Sequence, residues 1–207
     1  MDKIFGLRVA EHTMYSRSLN NLSQNDQSYG VQLHYNKDKW EIGANYFIGN
    51  LTQDKALRQK GFSLKLDFKP SNNSAIGGSY LSSKNNFVKQ TSMAIHLISS
   101  IGKGSSLLAE IGKISFSPVI GNTKDTKYTY GMSQIYFKLS RGLYFFNQIE
   151  LLESSDVSSN LRFGPGLQYF PMQRVEVRAE IYNTRNFSKK VSNEDSWDIL
   201  GQLHLWL

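Results

Sequence analysis

Residues 174–182 read Arg-Val-Glu-Val-Arg-Ala-Glu-Ile-Tyr, RVEVRAEIY. Taken alternately they form two unlike sets. Val175, Val177, Ala179 and Ile181 are apolar, while Arg174, Glu176, Arg178 and Glu180 are charged and alternate in sign. A helix repeats its side chains every 3.6 residues or so and would mix the sets, whereas an extended strand sends alternate side chains to opposite faces. The stretch predicts a β-strand with one apolar and one charged face.

The same rhythm runs along most of the chain. SYGVQLHYN (28–36) sets Tyr29, Val31, Leu33 and Tyr35 against Gly30, Gln32, His34 and Asn36. KWEIGANYFIG (39–49), GFSLKLDFK (61–69) and NLRFGPGLQY (160–169) behave alike. Strands are expected over 3–16, 28–36, 39–49, 60–69, 74–82, 90–100, 106–116, 127–139, 142–152, 160–170, 174–183 and 195–207, about twelve in all. SLLAEIGKISF (106–116) and GLYFFNQIELL (142–152) carry apolar residues on both faces, which predicts either a bulge or a packed inner face. Gly164-Pro165-Gly166 falls inside a strand and is expected to bend it.

The connections alternate between tight (NKDK, KPSNNS, IGKGSS, SRG, FPMQR) and longer polar segments such as GNLTQDKALRQ and NTRNFSKKVSNE. Alternating rims are the mark of an up-and-down antiparallel sheet. No linker or composition shift divides the chain, so residues 1–207 are expected to form a single domain. With no Cys there is no disulfide framework, thiol nucleophile or thiolate metal site. MDKIFGLRVAEH does not read as a secretory signal, so a signal is expected to have been removed.

Alternation defines two faces but not which one is inside. About twelve strands closed around an apolar interior would leave a large void, since roughly eight already suffice to fill a barrel with side chains. The polar face mixes Gly, Ser, Asn and Gln with charges of both signs, which suits a lumen. Strands of about 9–13 residues match a tilted bilayer crossing. Tyr29, Tyr35, Trp40, Phe68, Tyr169 and Trp197 stand near strand ends on the apolar face, where interfacial aromatics are expected. The reading is a transmembrane antiparallel β-barrel with its apolar face turned to lipid. The last strand would then pair with the first, because hydrocarbon offers no hydrogen bonds to an open edge.

The ending ILGQLHLWL (199–207) resembles the final strand of bacterial outer-membrane β-barrels, an alternating apolar strand closed by an aromatic residue and read by the barrel-assembly machinery. Ile199, Gly201, Leu203, Leu205 and Leu207 supply the alternating face. Leu207 stands where the pattern has Phe or Trp, and Trp206 falls on the other face. The resemblance implies a Gram-negative outer-membrane location, short turns and both termini in the periplasm, and contact with membrane lipids and lipopolysaccharide. It implies a porin-like channel for passive diffusion of small polar solutes. The alternative is a barrel plugged by its own side chains that acts as a scaffold or surface-interaction protein. An outer-membrane lipid-modifying enzyme and a soluble ligand-binding barrel rank lower.

The net charge is +7. On expected inward positions, Arg8, Lys39, Lys65, Lys69, Lys113, Lys138, Arg162, Arg174 and Arg178 face Glu11, Glu41, Asp67, Glu110, Glu150, Glu176, Glu180 and Asp198. Such near balance predicts weak ion selectivity. The rest of the excess lies on the rims, and without a basic stripe interleaved with aromatics no nucleic-acid partner is expected. The pore-lining candidates are Arg8, Glu41, Lys65, Asp67, Glu150, Arg162, Arg174, Glu176, Arg178, Glu180 and Asp198. The Arg174–Glu180 wall either orients a solute or braces the lumen as an ion-pair lattice. His12, His34, His96 and His204 share the polar face at different heights, so no metal site is expected. There is no G-x-S-x-G, and the chain is expected to be neither an enzyme nor a cofactor protein. The oligomeric state is open.

Overall fold

A computed structural model describes residues 28–121, 124–155, 158–188 and 194–206. They form one sheet of eleven strands in chain order, each antiparallel to the next. The strands are β1 (Tyr29–Lys37), β2 (Trp40–Gly49), β3 (Lys60–Ser71), β4 (Ser74–Lys84), β5 (Val88–Gly102), β6 (Ser105–Pro118), β7 (Thr126–Ser140), β8 (Leu143–Ser154), β9 (Ser158–Met172), β10 (Val175–Ser188) and β11 (Glu194–Leu205). These match the expected strands from 28 onward. The strand expected over 3–16, with Arg8, and the last residue, Leu207, lie outside the described residues. Among the described residues no pairing joins β11 to β1.

The strands run longer than the alternation suggested. β5 covers Val88–Gly102 and β10 runs to Ser188, where ends near 90, 100 and 183 were expected. In these extensions apolar residues are sparse (Val88, Ile101 and Phe187), so the ladder continues after the two-residue hydrophobic rhythm has stopped. The tight rim is built of two-residue turns, as at Asp38-Lys39 between β1 and β2 and Lys103-Gly104 between β5 and β6. Left-handed backbone at Asp38 (φ 51°), Lys103 (φ 50°) and Arg174 (φ 66°) is what such turns demand, since their twist matches that of the flanking strands.

Cross-strand register keeps the two faces distinct. Ile42, Leu66, Gly78, Ile95, Ile111 and Gly131 follow one another across β2–β7 on one face. That face is open: Ile95 is 61% and Ile199 81% exposed. The other face buries polar groups, among them Gln148, Glu150, Arg178 and Glu180. A soluble barrel has the reverse arrangement, so the ligand-binding barrel is excluded as an architecture for these strands.

β6 and β8 carry no bulged residue themselves: the shifts on their ladders fall on the neighbours, between Ser100 and Gly102 of β5 and between Lys138 and Ser140 of β7, at the tight rim. Their second apolar set packs inward instead: Ile114 and Phe146 are buried, so the packed inner face is the correct one of the two expectations. Around Pro165 the β8 ladder is continuous through Asn147, while pairing to β10 lapses between Gly166 and Phe163. Proline has no N–H to give to that side.

Candidate functional site: the inward charged wall

Among the described residues, three extended polar assemblies stand out on the inward face. The first spans β7–β10. Gln134 donates Nε2–H to Gln148 Oε1 (2.6 Å), and Gln148 donates Nε2–H to Glu150 Oε1 (2.5 Å). Arg162 Nη1 meets the same carboxylate oxygen at 3.1 Å and its guanidinium lies 3.7 Å from the Tyr182 ring centroid. Glu150 and Arg162 are directly opposed in the β8–β9 register, the cross-strand placement in which opposite charges stabilise a sheet. All five side chains are buried, so the carboxylate and guanidinium are compensated by hydrogen bonds, one another and an aromatic face.

The second assembly is centred on Arg178. It contacts Glu180 on its own strand, lies over the Phe146 ring at 4.2 Å and donates Nη1–H to Tyr136 Oη at 3.3 Å. It thereby reaches from β10 to β7. Phe146 folds over Gly166, whose missing Cβ leaves room for the ring. Below it Glu176 accepts from Gln168 Nε2 at 2.5 Å and meets His204 Nδ1 at 3.3 Å. Tyr144, Phe170 and Trp206 form a run of ring contacts toward the short-turn rim.

The third assembly is on β2–β5. Lys65 lies between Asp67 (2.8 Å) and Glu41 (3.4 Å), Lys69 caps Glu41 at 3.0 Å, and His96 Nε2 stands 3.1 Å from Asp67. Gly77 again makes the space, since a Cβ there would crowd Asp67 and His96.

Glu41, Lys65, Asp67, Glu150, Arg162, Glu176, Arg178 and Glu180 therefore share the inward face. Asp198 pairs in register with Tyr182, shares the face and is exposed. Arg174 does not belong to the wall. It occupies the two-residue β9–β10 turn, exposed, with φ 66°, because the strand begins only at Val175. Its carbonyl accepts from the Trp206 N–H at 3.0 Å. Lys113 is a second correction: in register with Met93, which is 52% exposed, it lies on the outward face. The Gly112 and Ile114 parity of β6 places it there.

Tyr29, Tyr35, Trp40, Phe68, Tyr169 and Trp197 are all on the outward face, with Trp40 and Phe68 in ring contact at 4.7 Å. Ile199, Leu203 and Leu205 stand exposed on that same face with Gly201. Sequence reasoning missed the neutral partners Gln134, Gln148, Tyr136 and Tyr182, while Phe146 was among the inward residues expected to fill a plugged lumen. Period-two parity with Glu150 and Arg178 was the signal that would have found them.

No protein-family model matches the chain, and no curated protein matches it in sequence. Solved structures do. A porin is similar over 86% of this chain and 61% of its own, with 11% identity and TM-score 0.66. The outer membrane channel DcaP of Acinetobacter baumannii is similar over 86% and 62%, with 9% identity and TM-score 0.65. In fold, the eleven-stranded antiparallel sheet is similar to that of these outer-membrane barrels. OmpT of Vibrio cholerae is similar over 86% and 64%, with 13% identity and TM-score 0.67. The chain thus spans about three-fifths of the length of these barrels.

The same comparison corrects the expectation that the chain is no enzyme. OmpT stands beside the porins under a name that is not that of a porin or a channel. The fold leaves chemistry open, and the exclusion of catalysis is withdrawn.

Proposed function

We propose that the chain forms an outer-membrane channel for passive diffusion of small polar solutes, with weak ion selectivity tilted toward cations. The observation that carries this reading is the inversion of faces: a predominantly apolar surface outside and a hydrogen-bonded, ion-paired polar wall inside, the arrangement of a water-facing lumen in lipid. The tilt follows from three inward assignments that the structure moves: Arg174, Lys113 and Lys39, the last in the β1–β2 turn. Among the described strands, inward Lys65, Lys69, Lys138, Arg162 and Arg178 now face Glu41, Asp67, Glu110, Glu150, Glu176, Glu180 and Asp198. With Arg174 and Lys39 in two-residue turns and Lys113 on the lipid face, the wall is acidic rather than balanced, and rings of carboxylates favour cations.

Membrane lipids and the assembly machinery that reads alternating final strands complete the proposed partners. The domain is proposed to act as one unit, since the ladder is continuous from β1 to β11. A specific observation favours a second reading, the plugged scaffold: Phe146, Gln148, Tyr182 and Arg178 are fully covered although they face inward.

Swelling of liposomes in isotonic sugar separates the two. The channel predicts swelling rates that fall with solute size and exceed those of protein-free vesicles. Rates equal to protein-free vesicles, with the barrel shown to be folded by a heat-modifiable gel band, would favour the scaffold.

A further inference from the structure

Among the described residues, the outward face carries a patch of like charge at the long-loop rim. Lys60, Lys84 and Lys89 are directly opposed across β3, β4 and β5, and all are exposed. Two residues deeper, Phe62, Ser82, Thr91, Ser115 and Lys127 make the next outward row across β3–β7. The row after that is Leu64, Tyr80, Met93, Lys113 and Thr129. Strands lie about 4.8 Å apart, so the three opposed ammoniums fall within about 10 Å. Like charges directly opposite one another destabilise a sheet, and among the described residues no carboxylate pairs with these three lysines. The nearest outward carboxylate at that level is Glu153 on β8, flanking Thr129.

Height is informative. Lys89 is six residues from Ile95, the centre of the fifteen-residue β5. Six residues at roughly 3.3 Å rise and a tilt of roughly 40° place the lysines about 15 Å from mid-membrane, just beyond the edge of a band about 25 Å tall. Directly below them Leu64, Met93 and Ile95 continue the apolar surface, 49%, 52% and 61% exposed. A partner that touches both zones carries anionic oxygen above and hydrocarbon below.

We propose that Lys60, Lys84 and Lys89, with the hydroxyls of Ser82 and Thr91 beneath them, bind the phosphate groups of a phosphorylated glycolipid of the outer leaflet, the lipid A class. This rests on the reading of the outward face as the lipid face. The phosphates neutralise the opposed ammoniums and accept from the hydroxyls, while the acyl chains lie along Leu64, Met93 and Ile95. A free phosphate would use only the upper half of this surface.

The test uses the full chain folded into phosphatidylcholine vesicles doped with lipid A or with dephosphorylated lipid A, then native mass spectrometry of lipid retained after detergent extraction. The expected result is retention of lipid A, loss of at least tenfold in a Lys60→Gln/Lys84→Gln/Lys89→Gln variant, and recovery in the corresponding triple Arg variant. A control triple on the opposite rim, Lys37→Gln/Lys103→Gln/Arg141→Gln, should retain lipid A like the parent. Inorganic phosphate should displace it only weakly. Equal retention of dephosphorylated lipid A, equal retention by the Lys60/Lys84/Lys89 variant, or equal loss in both triples would overturn the proposal while leaving the membrane barrel intact. A parent chain that fails to insert at all would overturn both together.

Discussion

Replacing Ile95 by arginine tests the assignment of faces more sharply than any change inside the lumen. Ile95 is the eighth of fifteen residues in β5, a central strand, with Gly78 and Ile111 opposite it. It is 61% exposed, so the substitution removes little packing and creates no clash. On a soluble surface such a change stays within about 0.5 kcal/mol. At the midplane of a lipid-facing barrel strand an arginine costs about 2–4 kcal/mol, falling to about 0–1 kcal/mol near the interface. Thr91, on the same strand and face, lies four residues nearer the lysine rim. Thr91→Arg supplies the internal control, with an expected cost of about 1 kcal/mol or less. Reversible urea unfolding from phospholipid vesicles reads both. A loss of about 2–4 kcal/mol for Ile95→Arg alone is the expected result. Equal midpoints for the two variants would refute the depth argument, and parent-like stability for both would refute the lipid face itself.

Other consequences follow from single contacts. Glu150→Leu leaves the Arg162 guanidinium buried without its carboxylate and is expected to cost about 3–5 kcal/mol; Glu150→Leu/Arg162→Met should regain much of this in the same unfolding assay. Gly112→Ala places a methyl 2.5–2.6 Å from ring atoms of Tyr130 and breaks the 2.6 Å hydrogen bond from Tyr130 to Glu110. The expected loss is about 1–3 kcal/mol by urea midpoint, and removing the ring with Tyr130→Ser should relieve part of it. Glu41→Gln/Asp198→Asn removes two inward carboxylates that are not fully buried and should move the reversal potential of the channel toward anions with folding unchanged.

The faces were legible in the sequence because a strand's period is two and each face has one solvent. RVEVRAEIY declared its sides from Val175 onward, and the register confirms them. Strand ends were not legible, because above the lipid both faces are wet and the contrast that marks a strand disappears. Arg174 illustrates this: it continues the alternation on paper, yet the two-residue turn claims it. Lys113 failed differently. A charge within an apolar run was assigned to the polar face by its type, while the parity of Gly112 and Ile114 places it outward. The ion pairs Glu150–Arg162 and Lys65–Asp67 join residues 12 and 2 positions apart. The first depends on strand register, which alternation alone does not specify. Coverage of arginines by Phe146 and Tyr182 likewise depends on which glycines, such as Gly166, leave space beside them.

The measurement that bears most directly on the whole account is conductance across a planar bilayer under a potassium chloride gradient. The account predicts discrete opening steps and a reversal potential displaced modestly toward the cation limit, as five inward bases against seven inward acids imply. Folded, inserted protein that gives no steps, or a reversal potential on the anion side, would contradict it.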